Sequence, residues 1–276
     1  MKDIQGLKEK AKQLRKDILT MTTKAKIGHV TSSFSCTELM TALYYADILK
    51  YKADDYKWDG RDYFILSKGH ANPVFYCILA DLGFIPKEEL DRFSQAGGNI
   101  GVLLRGDIPG TEITSGSLGC GLGIAAGIAH GLHMDQQDNK VVCMVGDAEC
   151  REGAIWESAM HIGTTQLNNL ITIVDKNGLG ATHFLKDEAG IDPIEEKFAS
   201  FGFDVIHIDG HNFKQILDAL KGLHSEKREK PLAIIADTVK GKGVSFIENV
   251  PLLHGAAVKE EQLEAALKEV EEGEIG

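Results

Sequence analysis

"VVCMVGDAECREG", residues 141 to 153, is an apolar run that stops on Gly146 and Asp147, with Glu149, Arg151 and Glu152 close behind. A short, uncharged, Val-rich run that ends in a glycine predicts a strand buried on both faces. Apolar runs of strand length return over 170–175, 204–209 and 232–238, and helical patterns lie near 152–164, 193–201 and 213–224. This alternation predicts an α/β fold: a mostly parallel sheet with helices on both faces.

The reading extends in both directions. Ile4, Leu7, Ala11, Leu14, Ile18 and Met21 recur at three and four and predict a helix over 4–24. A second helix is expected over 36–48, and "DYFILSKGH" (62–70) reads as a short buried strand. Residues 97–119 are Gly-rich and contain Pro109, a long loop of the kind that is often functional. "LGCGLGIAAGIAHGLH" (118–133) predicts a helix whose small residues pack closely on a neighbour. No repeat, low-complexity segment or interdomain linker is visible. The expected division is one α/β domain over 5–258, followed by a surface helix and tail over 259–276.

Composition narrows the function classes. With 41 acidic against 30 basic residues and a net charge of −11, the chain lacks the clustered cations that bind a phosphate backbone, so nucleic acid is not an expected partner. A metal ion can still neutralise a phosphorylated cofactor locally. Cys36, Cys77, Cys120, Cys143 and Cys150 are scattered, form no C-x-x-C pair, and read as reduced thiols. The amphipathic N-terminus has no apolar signal core, and no run of roughly 18 apolar residues exists to span a membrane. The expected compartment is the cytoplasm.

Ligands of open parallel sheets bind beyond the carboxyl ends of the strands. Asp147 falls at one such end. Asp175 and Asn177 fall at the next, in "LITIVDKNGLG" (170–180). Either Asp147 or Asn177 alone reads as a turn or helix cap. Delivered to one edge by a single βαβ unit, and joined by a backbone carbonyl such as that of Leu179, they offer hard oxygen donors suited to Mg²⁺, Ca²⁺ or Mn²⁺.

"GDAECREGAIWESA" (146–159) followed by "DKNGLG" (175–180) resembles the thiamine-diphosphate motif, which begins GDG and ends near an Asn. "IGHVTSSFSCTEL", "DYFILSKGHANPVFYCILADLGF", "PGTEITSGSLGCGLGIAAGIA", "VIHIDGHNF" and "DTVKGKGVSFIEN" are similar, in the same order, to segments of transketolases. The likeness is to the N-terminal, diphosphate-binding subunit of split transketolases and covers about residues 5 to 270. It implies that Asp147, Asn177 and the Leu179 carbonyl hold the metal that bridges the diphosphate. Gly146 and the backbone N–H of Ala148 would lie against the diphosphate, and His254 would reach it. Gly116 and Leu118 would line the aminopyrimidine, and Glu152 would relay protons from the interface between chains. His29 and His70, each after a glycine, match histidines that move protons at ketose hydroxyls with pKa values near neutrality. His130, His133, His161, His183, His207, His211 and His224 are read as structural.

Three departures accompany the likeness. Val102, in "NIGVLLRGDIPG", stands where the family has a histidine that contacts the donor ketose; Ala148 replaces a glycine; Val30 follows His29 where proline is common. In the family, the glutamate and stacking aromatic that activate the cofactor belong to a pyrimidine-binding domain, which the resemblance places outside these 276 residues. The resemblance therefore implies a second subunit carrying that domain and a C-terminal domain, an α2β2 assembly, and sugar or sugar-phosphate substrates exchanging a two-carbon ketol unit.

Rival readings are a 1-deoxyxylulose-phosphate-synthase-like or 2-oxoacid-decarboxylating thiamine enzyme, a nucleotide-binding module, and a non-catalytic scaffold. The nucleotide reading is weakened because "GSLGCGLG" has Ile124 where a third glycine would fall, with no strong strand before it.

Overall fold

The computed structural model describes residues 3–187, 190–225 and 228–274. These residues build a sheet of five parallel strands in the order β1-β2-β3-β5-β4. The strands are β1 (Tyr63–Leu66), β2 (Val141–Gly146), β3 (Leu170–Lys176), β4 (Asp204–Asp209) and β5 (Leu232–Asp237). On β2, Val142 and Met144 enter one core while Val141, Cys143 and Val145 enter the other. Each such side chain contributes about 1.5–3 kcal/mol when removed from water, which is why the inner strands carry no polar face.

Helices cover both faces, as expected. On the first lie α1 (Ile4–Ala25), α2 (Val30–Ser35), α3 (Thr37–Tyr45), α4 (Asn72–Asp81), α8 (Phe213–Leu220) and α9 (Leu263–Glu272). On the second lie α5 (Cys120–Met134), α6 (Gly153–Thr164) and α7 (Ile194–Ser200). Helix α9 sets buried Ala266 and Val270 against the rest of the first core, while the tail residues 275 and 276 lie outside the described residues. Cys36, Cys77, Cys143 and Cys150 are buried free thiols, and Cys120 is an exposed one. Among the described residues no helix is long and apolar enough to cross a membrane.

Two helices go beyond the sequence reading. The expected helix over 36–48 starts at Thr37, because Cys36 (φ −107°, ψ 12°) leaves helical geometry and separates α3 from α2. Helix α4 follows the SKGH turn with Pro73 in its first turn; Asn72 through Ala80 are all buried, so no apolar stripe announces it. The 97–119 segment is a loop, tied over the end of β1 by the Ser115 hydroxyl, which donates to the Leu66 carbonyl at 2.8 Å.

Candidate functional site

The carboxyl ends of the strands meet at one edge, and the β2–β3 register sets Gly146 opposite Asp175. A cavity of about 260 Å³ opens there, lined by Gly146, Asp147, Ala148, Asn177 and Leu179, and by His70, Gly116, Leu118 and His254. His29 stands behind this wall, against His70 and His254. Glu152 is exposed at the N-cap of α6, outside the cavity.

Asp147 is 2 % exposed and accepts the N–H groups of Ala148 at 2.7 Å and Gly178 at 2.5 Å. Burial pushes its carboxyl up to about 6, against the pull of those N–H groups, so the site penalises the bare negative charge. A cation beside it would remove that penalty. Asn177 keeps its Oδ1 in a local turn, accepting from Leu179 N at 3.1 Å. Among the described residues no group of three or more His, Cys, Asp and Glu side chains could hold a metal ion. Any metal here must take an amide, a main-chain carbonyl and ligand oxygens as well as Asp147, which is a hard-cation donor set.

The Ala148 N–H is occupied by Asp147, and it opens a 3₁₀ turn (Glu149–Arg151), with α6 beginning only at Gly153. Ala148 itself has φ −62° and ψ −34°, ordinary right-handed geometry, so the backbone here needs no glycine.

Four further side chains belong to the site. Glu149, 2 % exposed, accepts from the Ser67 hydroxyl at 2.5 Å, Gly119 N at 2.8 Å and Gly146 N at 3.0 Å, and so clamps β1, the α5 approach and β2 together. Burial raises its pKa and those donors partly restrain the rise. Lys68 and Asp175 form a buried ion pair, joined by the Ser35 and Thr238 hydroxyls. Burial works against both charges, but their attraction outweighs it, raising Lys68 and lowering Asp175. Asp175 is thus committed to Lys68 and does not line the cavity. Lys240, 2 % exposed, donates to the Gly180 carbonyl and to His254 Nδ1, both at 2.9 Å. Burial and then repulsion from Lys68 bring it down to about 8. Lys68, Glu149 and Lys240 all sit within the quoted motifs, but a lone charge in a polar turn reads as solvated, and only its burial singles it out.

His29, His70 and His254 form a triangle with ring centroids 5.2, 5.1 and 4.9 Å apart. Their titration differs from the expected near-neutral value. Burial and then Lys240 bring His254 down to about 3; burial followed by Lys240 lowers His29, and burial followed by Lys68 lowers His70 well below its usual range. His70 and His254 in the cavity wall, with His29 behind them, are thus shifted towards their uncharged forms beside Lys68 and Lys240, an arrangement that favours an anionic ligand and offers neutral proton acceptors. Val102 packs partly buried against the main core, and its neighbour Leu103 is 49 % exposed beside Gly116.

The chain matches the family described as transketolase, thiamine diphosphate binding domain, over residues 7–271. It is 33% identical over 273 residues to one of the subunits of the apulose-4-phosphate transketolase of Phocaeicola vulgatus, covering 98% of this chain and 95% of that one. It is 36% identical over 267 residues to a 6-deoxy-6-sulfo-D-fructose transketolase subunit of a Clostridium species, covering 96% of each. Against the transketolase of Rattus norvegicus the identity is 34%, and the chain spans 42% of that protein's length. The crystal structure of transketolase from Campylobacter jejuni superposes with a TM-score of 0.92 at 29% identity, over 98% of this chain and 43% of that one.

Proposed function

The chain belongs to the transketolase thiamine-diphosphate-binding domain family, and from that premise we propose that it is the diphosphate-binding subunit of a two-chain transketolase. Together with a pyrimidine-domain partner it transfers a two-carbon ketol unit from a ketose donor to an aldose acceptor. The observation that carries this reading is the convergence of Asp147, Asn177, His70, His254, Lys68 and Lys240 on one cavity at the carboxyl edge of the sheet. Bound there, thiamine diphosphate supplies the electron sink for cleaving and forming the carbon–carbon bond.

The chain's own residues then divide the work. Asp147, Asn177 and the Leu179 carbonyl hold Mg²⁺, or Ca²⁺ or Mn²⁺ in its place. His254 and Lys240 would face the diphosphate beside Gly146 and Ala148, while Gly116 and Leu118 would bound the ring-binding end. His29 and His70 accept and return protons at the ketose hydroxyls, for which uncharged imidazoles are suited. Glu152 meets the partner. Residues 5–258 act as the cofactor-binding unit and 259–276 as an appended helix and tail, in a cytoplasmic α2β2 assembly.

Two features support a partner and an unusual sugar. The chain spans nearly the whole of the named split subunits, whose sugars are apulose 4-phosphate and 6-deoxy-6-sulfo-D-fructose. Leu103 gives the loop beside Gly116 an apolar edge, and Val102, packed against the main core, cannot donate the hydrogen bond of a histidine side chain. The test is a ketol-transfer assay on the chain mixed with a pyrimidine-domain transketolase subunit, thiamine diphosphate and Mg²⁺. Transfer that needs both chains supports the reading; turnover by this chain alone, or none by the pair across phosphorylated and sulfonated ketoses, contradicts it.

A further inference from the structure

His211 lies outside the cavity, in the turn after β4, and its sequence context marks it as structural. Its contacts connect it to the site. Nε2 accepts the Val239 N–H at 2.8 Å, so the ring proton sits on Nδ1, which faces Glu38 Oε2 at 2.9 Å. Glu38 on α3 and Arg15 on α1 form a fully buried two-point ion pair, with Nη1 to Oε1 at 2.8 Å and Nη2 to Oε2 at 2.9 Å. Arg15 then extends Nε to the Lys242 carbonyl at 3.0 Å.

The buried group thus grips the loop after β5 on both sides of Lys240, at the Val239 N–H and at the Lys242 carbonyl. Between those points Gly241 takes φ +87°, where an added Cβ would lie 2.6 Å from the Ile247 carbonyl, so the loop follows one tight path. Lys240 leaves that path to reach His254 and the Gly180 carbonyl. A brace for the fold alone would not need to bracket this residue.

We infer that His211, backed by Glu38 and Arg15, is a positioning residue for Lys240: its acceptor bond to Val239 fixes where the Lys240 ammonium meets the diphosphate. This rests on the cofactor reading above.

The two ring nitrogens can be tested apart. In His211→Asn the amide reaches the Nδ1 position and keeps the donor to Glu38, but it loses the acceptor for Val239. In His211→Gln the amide reaches the Nε2 position and keeps that acceptor, but it loses the donor to Glu38. Thiamine diphosphate with Mg²⁺ is titrated calorimetrically into the chain bound to its pyrimidine-domain partner, and the melting temperature of each variant is recorded. His211→Asn is expected to melt near wild type and to bind about three- to tenfold more weakly, the equivalent of one net hydrogen bond. His211→Gln is expected to melt lower and to bind near wild type. Lys240→Met is expected to weaken binding, and adding His211→Asn to it should cost little more.

Affinity that simply follows melting temperature overturns the inference, as do losses that multiply in the double variant or a Lys240→Met variant that binds normally. Should His211→Asn fail to fold, His211→Gln still decides: reduced stability with intact affinity supports the assignment, and reduced affinity contradicts it. Failure of the wild-type pair to bind thiamine diphosphate sinks the functional reading itself, and this inference with it.

Discussion

Asp147 is a buried carboxylate whose charge the cavity resists, with burial holding it at about 6. Under the proposed function, Asp147→Ala should weaken Mg²⁺-dependent thiamine diphosphate binding by at least the ~10–100-fold that losing even an outer-sphere partner costs a metal site. A titration at saturating partner checks this; unchanged affinity would remove Asp147 from the metal's ligands. Lys68 makes a different point. Replacing it with Met leaves the fully buried Asp175 without its cation and should cost about 3–5 kcal/mol in urea unfolding, whereas Lys68→Met combined with Asp175→Leu should regain most of that loss. A small loss in the single variant would mean that the Ser35 and Thr238 hydroxyls satisfy Asp175 unaided. Asp147 and Asn177 were legible because a strand end fixes both their edge and their spacing. Glu149, Lys68 and Lys240 were not, because their importance comes from burial by loops distant in sequence. Nor were the lowered histidine pKa values, which require three rings and two lysines to share one enclosure.

Helices α2 and α4 mark where pattern reading stops. The strands were found because short apolar runs alternate with helical patterns along the chain, and α1 because its apolar stripe repeats over 22 residues. Helix α2 has 6 residues, all buried, and α4 is apolar on every side, so neither carries a period. Close packing was legible in kind but not in place. An added Cβ at Gly163 of α6 would lie 1.6 Å from the Phe201 carbonyl, so Gly163→Ala should cost about 1–3 kcal/mol by overpacking, read as a lowered urea midpoint at unchanged m-value. An unchanged midpoint would show that the turn after α7 yields freely. The α1–α3 contact carries a pH dependence. Burial alone would raise Glu38, but Arg15 and His211 outweigh it and hold the carboxyl at about 2, below its ordinary 4.5. A lowered acid contributes stability that is present above its unfolded value and lost as pH falls through the folded one. Wild-type stability should therefore drop from pH 5 towards pH 2 more steeply than that of Glu38→Gln. Parallel profiles would contradict the pairing.

At the scale of the whole molecule, the two sides of the sheet are not equivalent. The α5–α6 surface exposes Ile124 (41%), Met134 (70%) and Met160 (54%) beside glycines whose added Cβ atoms would meet open space, such as Gly127 and Gly131. With Glu152 exposed at its end, this is the side we assign to the partner. Ile124→Glu should therefore weaken assembly of the two chains in analytical ultracentrifugation while leaving this chain's own melting temperature unchanged; intact assembly would place the partner elsewhere. Family and architecture were legible because collinear motifs run almost the length of the chain. The sugar was not, since the 97–119 loop that edges the site has no periodic signal and, under the proposed function, the other half of the site is supplied by the partner. Under the proposed function this chain supplies the metal and diphosphate half of a shared cofactor site. Calorimetric titration of thiamine diphosphate and Mg²⁺ into the chain alone, the partner alone and the two together tests it most directly. Tight, Mg²⁺-dependent binding by the pair, weak binding by either chain alone, and loss of the pair's binding with Asp147→Ala is the expected result. Equal affinity for the partner alone and for the pair, unaffected by Asp147→Ala, would contradict it.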